Sequence, residues 1–337
     1  MIENKMAFLI IIVCFTFLSK GTNAREQLQL QSKDYLKYSK SVMTGAKMGL
    51  KECYREFKYE PWNCYVSNDI KVMPIVNRAR LPLANKEAAF IHAITSAGVM
   101  HSIIVNCSLG HLENCRCLPK SKQKVRSSRD DSPVAWQWGG CSDNVAFGDL
   151  VARHFVDALE GKKGENEDRR ALNLHNNKVG RKMVKGSTKK VCKCHGSSSS
   201  CTTKTCMKKV EKFEKVADAL WEKYHTALRV VYKNGSLFDQ VDKKVTKRRV
   251  ELAYFTRSPN YCRPNRRLKI PGVEGRVCEA GSQNDLKKCT KLCESCGLKM
   301  KLKVVTRKEK CNCKFVWCCY VKCEECEKRV LTATCTR

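Results

Sequence analysis

The stretch C-K-C-H-G-S-S-S-S-C-T-T-K-T-C runs from Cys192 to Cys206. Two cysteines precede and two follow a run of Gly and Ser, and this spacing predicts a hairpin closed by two nested bridges, Cys192–Cys206 and Cys194–Cys201. Such a loop holds residues 195–200 out from the body of the protein on a tip with almost no apolar side chains. A solvated linker fits the Gly and Ser content but does not account for four flanking cysteines. The tip therefore presents something. One reading is a nucleophile, since His195 stands close to several serines. The G-x-S-x-G elbow is absent, however, and no nearby acidic residue offers itself as an orienting third member. The other reading is that a serine here is itself modified.

The rest of the chain sets the compartment. A basic Lys5, an apolar run from Ala7 to Leu18 and small polar residues ending at Ala24 have the three-part layout of a secretory signal, residues 1–24. The run is about half the roughly 20 residues that span a bilayer, and the sequence reading finds no later segment that comes close. A secreted chain without a membrane anchor is expected. Of 23 cysteines, Cys14 leaves with the signal, and an even number then enters an oxidising compartment, where disulfides are expected. Zinc is the rival for Cys311, Cys313, Cys323 and Cys326, whose short spacings also suit tetrahedral thiolate sites. No metal and no cofactor are expected.

The formal charge of +32 points to a polyanionic partner. Outside the cell that means sulfated glycosaminoglycan or anionic matrix, not nucleic acid. The plain alternative is a solvated basic face.

Apolar periodicity organises what lies between. Stripes at Ala46 to Phe57, Lys86 to Val105, Val145 to Leu159 and Val210 to Val231 read as helices, the last as the clearest amphipathic one. Leu118 to Pro133 and Gly161 to Arg170 read as exposed loops. Residues 234–260 read as a linker. Beyond Tyr261 helical stripes vanish, and Lys301 to Val305 and Lys314 to Lys322 read as short strands between cysteines. The fold class expected is α+β and disulfide-rich: a helical domain at 25–233 bearing the stapled hairpin 192–206, then a cysteine-rich β-hairpin domain at 261–337. Two N-x-S sequons make Asn106 and Asn234 candidate glycan sites.

The hairpin fits the C-x-C-H-G-x-S-x-x-C-x-x-K-x-C pattern of Wnt morphogens through Cys192, Cys194, His195, Gly196, Ser198, Cys201, Lys204 and Cys206. Trp62-Asn63-Cys64, Phe90 to Val99 (FIHAITSAGV), Trp138 to Asn144 (WGGCSDN), Leu174 to Asn177 (LHNN) and Cys311 to Cys319 (CNCKFVWCC) resemble Wnt blocks in Wnt order. The resemblance covers nearly the whole mature chain and looks nearest to the subfamily numbered eight. It departs at Ser197, in place of an aliphatic residue, at Ser199, in place of Gly, and at Met207, where Trp normally follows the last cysteine.

The resemblance implies a secreted, lipid-modified ligand and not an enzyme. Ser198 would carry a palmitoleoyl group, added by an acyltransferase of the endoplasmic reticulum. A buried methylene contributes about 0.8 kcal/mol, so a seated acyl chain would contribute on the order of 10 kcal/mol before entropic losses. His195, Gly196, Ser198 and Lys204 would face a Frizzled-type receptor's cysteine-rich domain. A second tip, Phe315, Val316 and Trp317, would grip that domain on the side opposite the lipid. On the residues alone, core packing is the stronger reading of those aromatics. Family analogy adds an LRP-type co-receptor, a secretion carrier, and heparan sulfate in the extracellular matrix. It also implies the pairs Cys53–Cys64, Cys107–Cys115, Cys117–Cys141, Cys262–Cys296, Cys278–Cys289, Cys293–Cys335, Cys311–Cys326, Cys313–Cys323 and Cys318–Cys319. Two rivals stand beside the ligand: a secreted lipid-binding or ester-hydrolysing protein using His195 with a serine, and a cationic matrix or antimicrobial protein.

Overall fold

The computed structural model describes residues 32–64, 81–118, 136–160, 166–196, 201, 203–246, 249–268, 270–279, 281–318 and 320–337. The expected signal at 1–24 lies outside them, as do residues 119–133 and 161–165 of the two expected loops. In chain order the described elements are α1 (Ser32–Glu56), α2 (Lys86–Ser108), β1 (Trp136–Trp138), α3 (Val145–Asp157), α4 (Glu167–Gly186), β2 (Thr188–His195), β3 (Thr203–Val210), α5 (Phe213–His225), β4 (Leu228–Lys233), β5 (Ser236–Asp239), β6 (Ala253–Tyr254), β7 (Val277–Glu279), α6 (Gln283–Ser295), β8 (Lys299–Val316) and β9 (Tyr320–Thr336). One compact unit takes the described residues of Met1–Glu56 and Tyr65–Ser258; the other takes Phe57–Cys64 and Pro259–Arg337.

The first unit is organised by α2. Asn85 accepts a hydrogen bond from the Ala88 amide at 3.0 Å and caps it. Nineteen of its 23 residues are buried, so it has no solvent face and reads as apolar all round. It is long and apolar enough to cross a membrane, contrary to the sequence reading that no later segment approaches this, but 94% of that stretch is buried inside the protein. Ala93, Ala97 and Gly98 explain how neighbours come so near. A Cβ on Gly45 of α1 would collide with the Gly98 carbonyl, and one on Gly180 of α4 with the Ala93 carbonyl. The other helices each bury one stripe: Tyr38, Val42 and Ala46 on α1, Val151, Ala152 and Phe155 on α3, Leu172, Val179 and Val184 on α4, and Val216, Ala217 and Leu220 on α5.

Two expectations about this unit are corrected. The stripe from Val210 to Val231 is not one helix: Val210 closes β3, α5 spans only Phe213–His225, and Leu228 to Lys233 is a strand. Leu, Val and Val at alternating or neighbouring positions satisfy both periods, and Asn234-Gly235 decides between them. Both residues have positive φ, 47° and 72°, and make the two-residue turn joining β4 to β5. Residues 234–258 are likewise not a linker but part of this unit. The Asn176 side chain explains why, because it donates to the Ala253 carbonyl and accepts from the Ala253 amide, both at 2.9 Å, like a strand neighbour. His175 reaches the Glu251 carbonyl at 2.9 Å, and Lys182 donates to that of Arg249 at 2.9 Å.

A buried polar network runs beside it. Asn177 donates to Asp157 and Glu160, Asn173 to Glu160, and Arg181 to Ser96 and both oxygens of Asp157, while Arg181 Nε faces Asp149 Oδ1 at 3.2 Å as an ion pair.

The second unit relies on covalent links. Its buried cluster is Val273, Cys278, Cys289, Leu292, Cys293, Ala333 and Cys335. The helix α6, capped by Ser282, was missed in the sequence because two of its three buried positions are Cys289 and Cys293. The two expected short strands are far longer, 18 and 17 residues in β8 and β9, and Lys314 to Lys322 straddles the turn between them. Arg276 ties Phe57–Cys64 to this unit by donating to the carbonyls of Lys58 (2.9 Å), Glu60 (2.6 Å) and Pro61 (3.2 Å). Phe57 and Trp62 meet edge to face at 4.7 Å.

Two measurements test this account. Gly180→Ala forces a methyl group into the Ala93 backbone and should destabilise by about 1–3 kcal/mol or more, whereas Gly186→Ala meets nothing within 4 Å and should be neutral. Urea unfolding compares the two. The second concerns Arg55, which faces Glu52 (2.5 Å), Glu56 (2.5 Å) and, on α5, Asp218 (2.7 Å). Burial, helped by Asp218 and Glu52 and opposed by Arg55, raises the Glu56 pKa to about 7. A carboxyl whose folded pKa lies above its unfolded value contributes stability that is full below about pH 4.5 and is lost as pH rises through about 7. Glu56→Gln should therefore flatten stability across that window, and a slope equal to that of the unsubstituted protein would refute the assignment.

Candidate functional site

The hairpin that the sequence singled out is an antiparallel ribbon. β2 and β3 pair from Thr188↔Val210 to His195↔Thr203, with Cys192 opposite Cys206 and Cys194 opposite Lys204. Disulfides join Cys192 to Cys206 and Cys194 to Cys201. Cys206 is buried, while Cys192 to Gly196 are exposed, so the ribbon is rooted through β3 and exposed along the described end of β2. His195 ends β2 and Gly196 follows it in a bend. Ser198, with Ser197, Ser199 and Ser200, lies outside the described residues. Lys204 is half-buried and pairs in parallel register with Trp136.

The WGGCSDN block cradles the root. β1 runs parallel to β3, and the chain continues beside it through Gly139, whose amide donates to the Cys206 carbonyl at 3.0 Å. A Cβ on Gly139 would collide with Thr205 Cγ2, so any other residue there would force the Thr205 side chain to move. Ser142 Oγ accepts from the Lys208 amide at 3.0 Å, and the Asp143 amide donates to the Lys208 carbonyl at 2.8 Å. The buried Asp143 carboxylate accepts from the Val210 amide and the Lys209 ammonium, both at 2.8 Å. Asn144 caps α3 and Cys141 is bonded to Cys117, so the block's polar residues all serve anchorage.

The exit strand is fixed from α2. His101 Nε2 lies 2.8 Å from the Glu211 carbonyl, which makes it the protonated ring nitrogen. Burial lowers the His101 pKa and outweighs the upward pull of that hydrogen bond. The ring is thus neutral and packs 5.4 Å from Phe213. The sequence reading had not picked out Asp143 or His101 for any role.

In the second unit, Phe315 and Val316 sit opposite Val321 and Tyr320 at the end of the β8–β9 ribbon. Phe315 is 70% exposed and Trp317 91%, which excludes the core-packing reading for both, while Val316 is half-buried. Tyr320 and Val321 are also exposed and widen the apolar tip. Register alone reveals them, because each faces a residue already singled out.

Further disulfides join Cys107–Cys115, Cys117–Cys141, Cys262–Cys296, Cys278–Cys289, Cys293–Cys335, Cys311–Cys326 and Cys313–Cys323. Cys53 and Cys64 are each disulfide-bonded. The zinc alternative at Cys311, Cys313, Cys323 and Cys326 is thereby excluded. Cys318 is exposed, and Cys319, its expected vicinal partner, is outside the described residues. Asn234 occupies an exposed turn, whereas Asn106 donates to Ser41 (2.9 Å) and Ser102 (3.4 Å).

The family model described as "wnt family" matches residues 20–336. Protein Wnt-8b of Homo sapiens is 39% identical over 349 residues, covering 100% of this chain and 95% of its own length. Protein Wnt-8a of Homo sapiens is 38% identical over 340 residues, covering 97% and 93%. The solved structure of human WLS in complex with WNT8A matches with a TM-score of 0.64 and 37% identity, covering 98% of this chain and 99% of that one.

Removing the cradle's carboxylate tests its role. Asp143→Ala strips acceptors from Val210 and Lys209 and should cost on the order of 2 kcal/mol in denaturant unfolding. Hydrogen exchange should quicken first at Val210. Unchanged protection there would remove Asp143 from the anchorage.

Proposed function

The chain belongs to the Wnt family, and from that premise we propose that it is a secreted ligand, lipidated on Ser198, that binds a Frizzled-type receptor. That it is a Wnt ligand homologous to the Wnt-8 proteins, and not an enzyme, follows from matches that run along the whole chain. The observation that carries the finer reading is the doubly bridged ribbon with its exposed end, rooted in a cradle of buried polar contacts. A rigid stalk with an apolar-poor tip supplies little affinity itself, and an acyl chain on Ser198 supplies what it lacks.

His195, Gly196 and Lys204 are proposed to line the receptor face around the lipid. Phe315, Val316 and Trp317 are proposed as a second contact, because exposed aromatics on a stapled turn make binding anchors. Acylation would be done by an acyltransferase of the endoplasmic reticulum. A secretion carrier of the WLS type fits the solved relative. An LRP-type co-receptor follows by family analogy, and the charge of +32 supports heparan sulfate and residence in the extracellular matrix. The exposed Asn234 is the better placed of the two glycan acceptors, since Asn106 engages its amide nitrogen in the fold.

The ester-hydrolysing alternative is not favoured: His195 is exposed on the ribbon, where a catalytic pair would need a site shielded from water. Mass spectrometry of the Cys192 to Cys206 peptide from secreted protein should find a monounsaturated acyl ester. Ser198→Ala should abolish it and weaken binding to a Frizzled-type cysteine-rich domain by at least about a hundredfold. An unmodified peptide from cells that acylate another Wnt would overturn the proposal.

A further inference from the structure

The second unit's sheet has the strand order β7-β9-β8, so among the described residues β8 has a ladder partner on one side only. This strand, Lys299–Val316, carries seven Lys or Arg against one Glu, whereas β9 carries three of each sign. The charge therefore gathers on the open edge of the sheet. Its first six residues alternate strictly: Lys299-Met300-Lys301-Leu302-Lys303-Val304. Lysines point to one face and apolar residues to the other. Lys299, Lys301 and Lys303 are exposed, and Leu302 and Val304 are 47% and 58% exposed.

A charged side chain is the ordinary protection of an open edge against pairing with another copy. Protection alone asks for no such alternation, and it leaves the exposure of Leu302 and Val304 unexplained. Like charges directly opposite one another across two strands destabilise the pair, while opposite charges stabilise it. A second β8 is therefore a poor partner, and a strand alternating acidic and apolar residues is a good one. The row of unfilled amides and carbonyls narrows the choice further. A sulfated polysaccharide can answer the lysines but not the backbone ladder, which only a polypeptide completes. The edge is also held in place, by α6 and β9 below and by Cys311–Cys326 and Cys313–Cys323 beyond, so little order remains to be imposed on binding.

We propose that the open edge of β8 docks an extended acidic polypeptide segment, which adds as a further strand. Its acidic residues face Lys299, Lys301 and Lys303, and its apolar residues extend the face of Leu302 and Val304. This surface is separate from the Phe315 to Trp317 tip and does not depend on Ser198.

The test uses the full-length, disulfide-intact protein and a fluorescent Glu-Val-Glu-Val-Glu-Val peptide, read by polarisation. The peptide should bind, and K301E/K303E should weaken it by about tenfold. Two further peptides, N-methylated on one or the other alternate set of amides, need no variant protein. A strand added to an edge pairs through one set only, so one methylated peptide should lose binding and the other keep it. Absence of binding, or indifference to K301E/K303E, overturns the proposal. If both methylated peptides bind as well as the parent and a heparin fragment displaces them, charge alone is at work and a polysaccharide site replaces the proposed one.

Discussion

The first unit depends on the burial of α2 around its whole circumference. A helix that keeps one face in water needs neighbours on the other only. With nineteen of its 23 residues buried, α2 must be enclosed, and α1, α3, α4 and α5 each turn an apolar stripe to the task. Enclosure at this density requires small residues at the crossings. Gly45 and Gly49 on α1, Gly98 and Ala93 on α2, and Gly180 on α4 set how near the axes come, since a methyl group at any of these glycines would fall inside neighbouring backbone. The FIHAITSAGV block is the part of α2 that meets these demands, mixing Phe90, Ile91 and Ile94 for volume with Ala93, Ala97 and Gly98 for proximity. The ribbon inherits its position from this core, through His101 on Glu211 and through the cradle that ends at the cap of α3.

The two units solve the same problem with different means. The first has enough apolar area to enclose a helix, and its disulfides sit at the margins, at the end of α2 and on the presented ribbon. The second has one helix over a sheet, with Cys278, Cys289, Cys293 and Cys335 making up most of its buried cluster. Removing water from cysteine side chains gives less than burying leucine, but the covalent bond also restricts the unfolded chain. An isolated two-stranded ribbon is marginal in water. The β8–β9 ribbon runs well beyond the helix that covers its base, and it carries its own bridges where that cover ends.

Much of this was legible in the sequence. The fold class followed from apolar stripes in the first part and cysteine density in the second, and the stapled hairpin followed from four cysteines around Gly and Ser. The misreadings share a cause. Leu228, Val230 and Val231 continue the apolar spacing of α5, and hydropathy could not show that Asn234-Gly235 turns the chain back into a hairpin. The helix α6 escaped because cysteines hold its inner face. Residues 249–254 looked like a linker because what binds them is polar: Asn176, His175 and Lys182 from α4 grip their backbone, and a side chain that reads backbone leaves no periodic mark on the segment it holds. The exposure of Phe315 and Trp317 was undecidable from composition, since a small disulfide unit could equally have buried them.

A common logic links the two tips. Groups left exposed at the end of a ribbon can collapse onto their own protein, and collapse is prevented when the strand beneath them cannot bend. On the first ribbon, nested bridges and the Asp143 cradle fix the root, leaving the tip almost without apolar side chains that could fold back. On the second, Trp317 and Phe315 are apolar and would gain by burial, but Cys311–Cys326 and Cys313–Cys323 stand between them and the nearest core, the cluster around Leu292 and Ala333. The cost of leaving a large aromatic in water is about 1.5–3 kcal/mol for each side chain relative to burial. A fold that accepts this cost and adds covalent links to maintain it leaves that energy to be recovered when the tip is covered by something else.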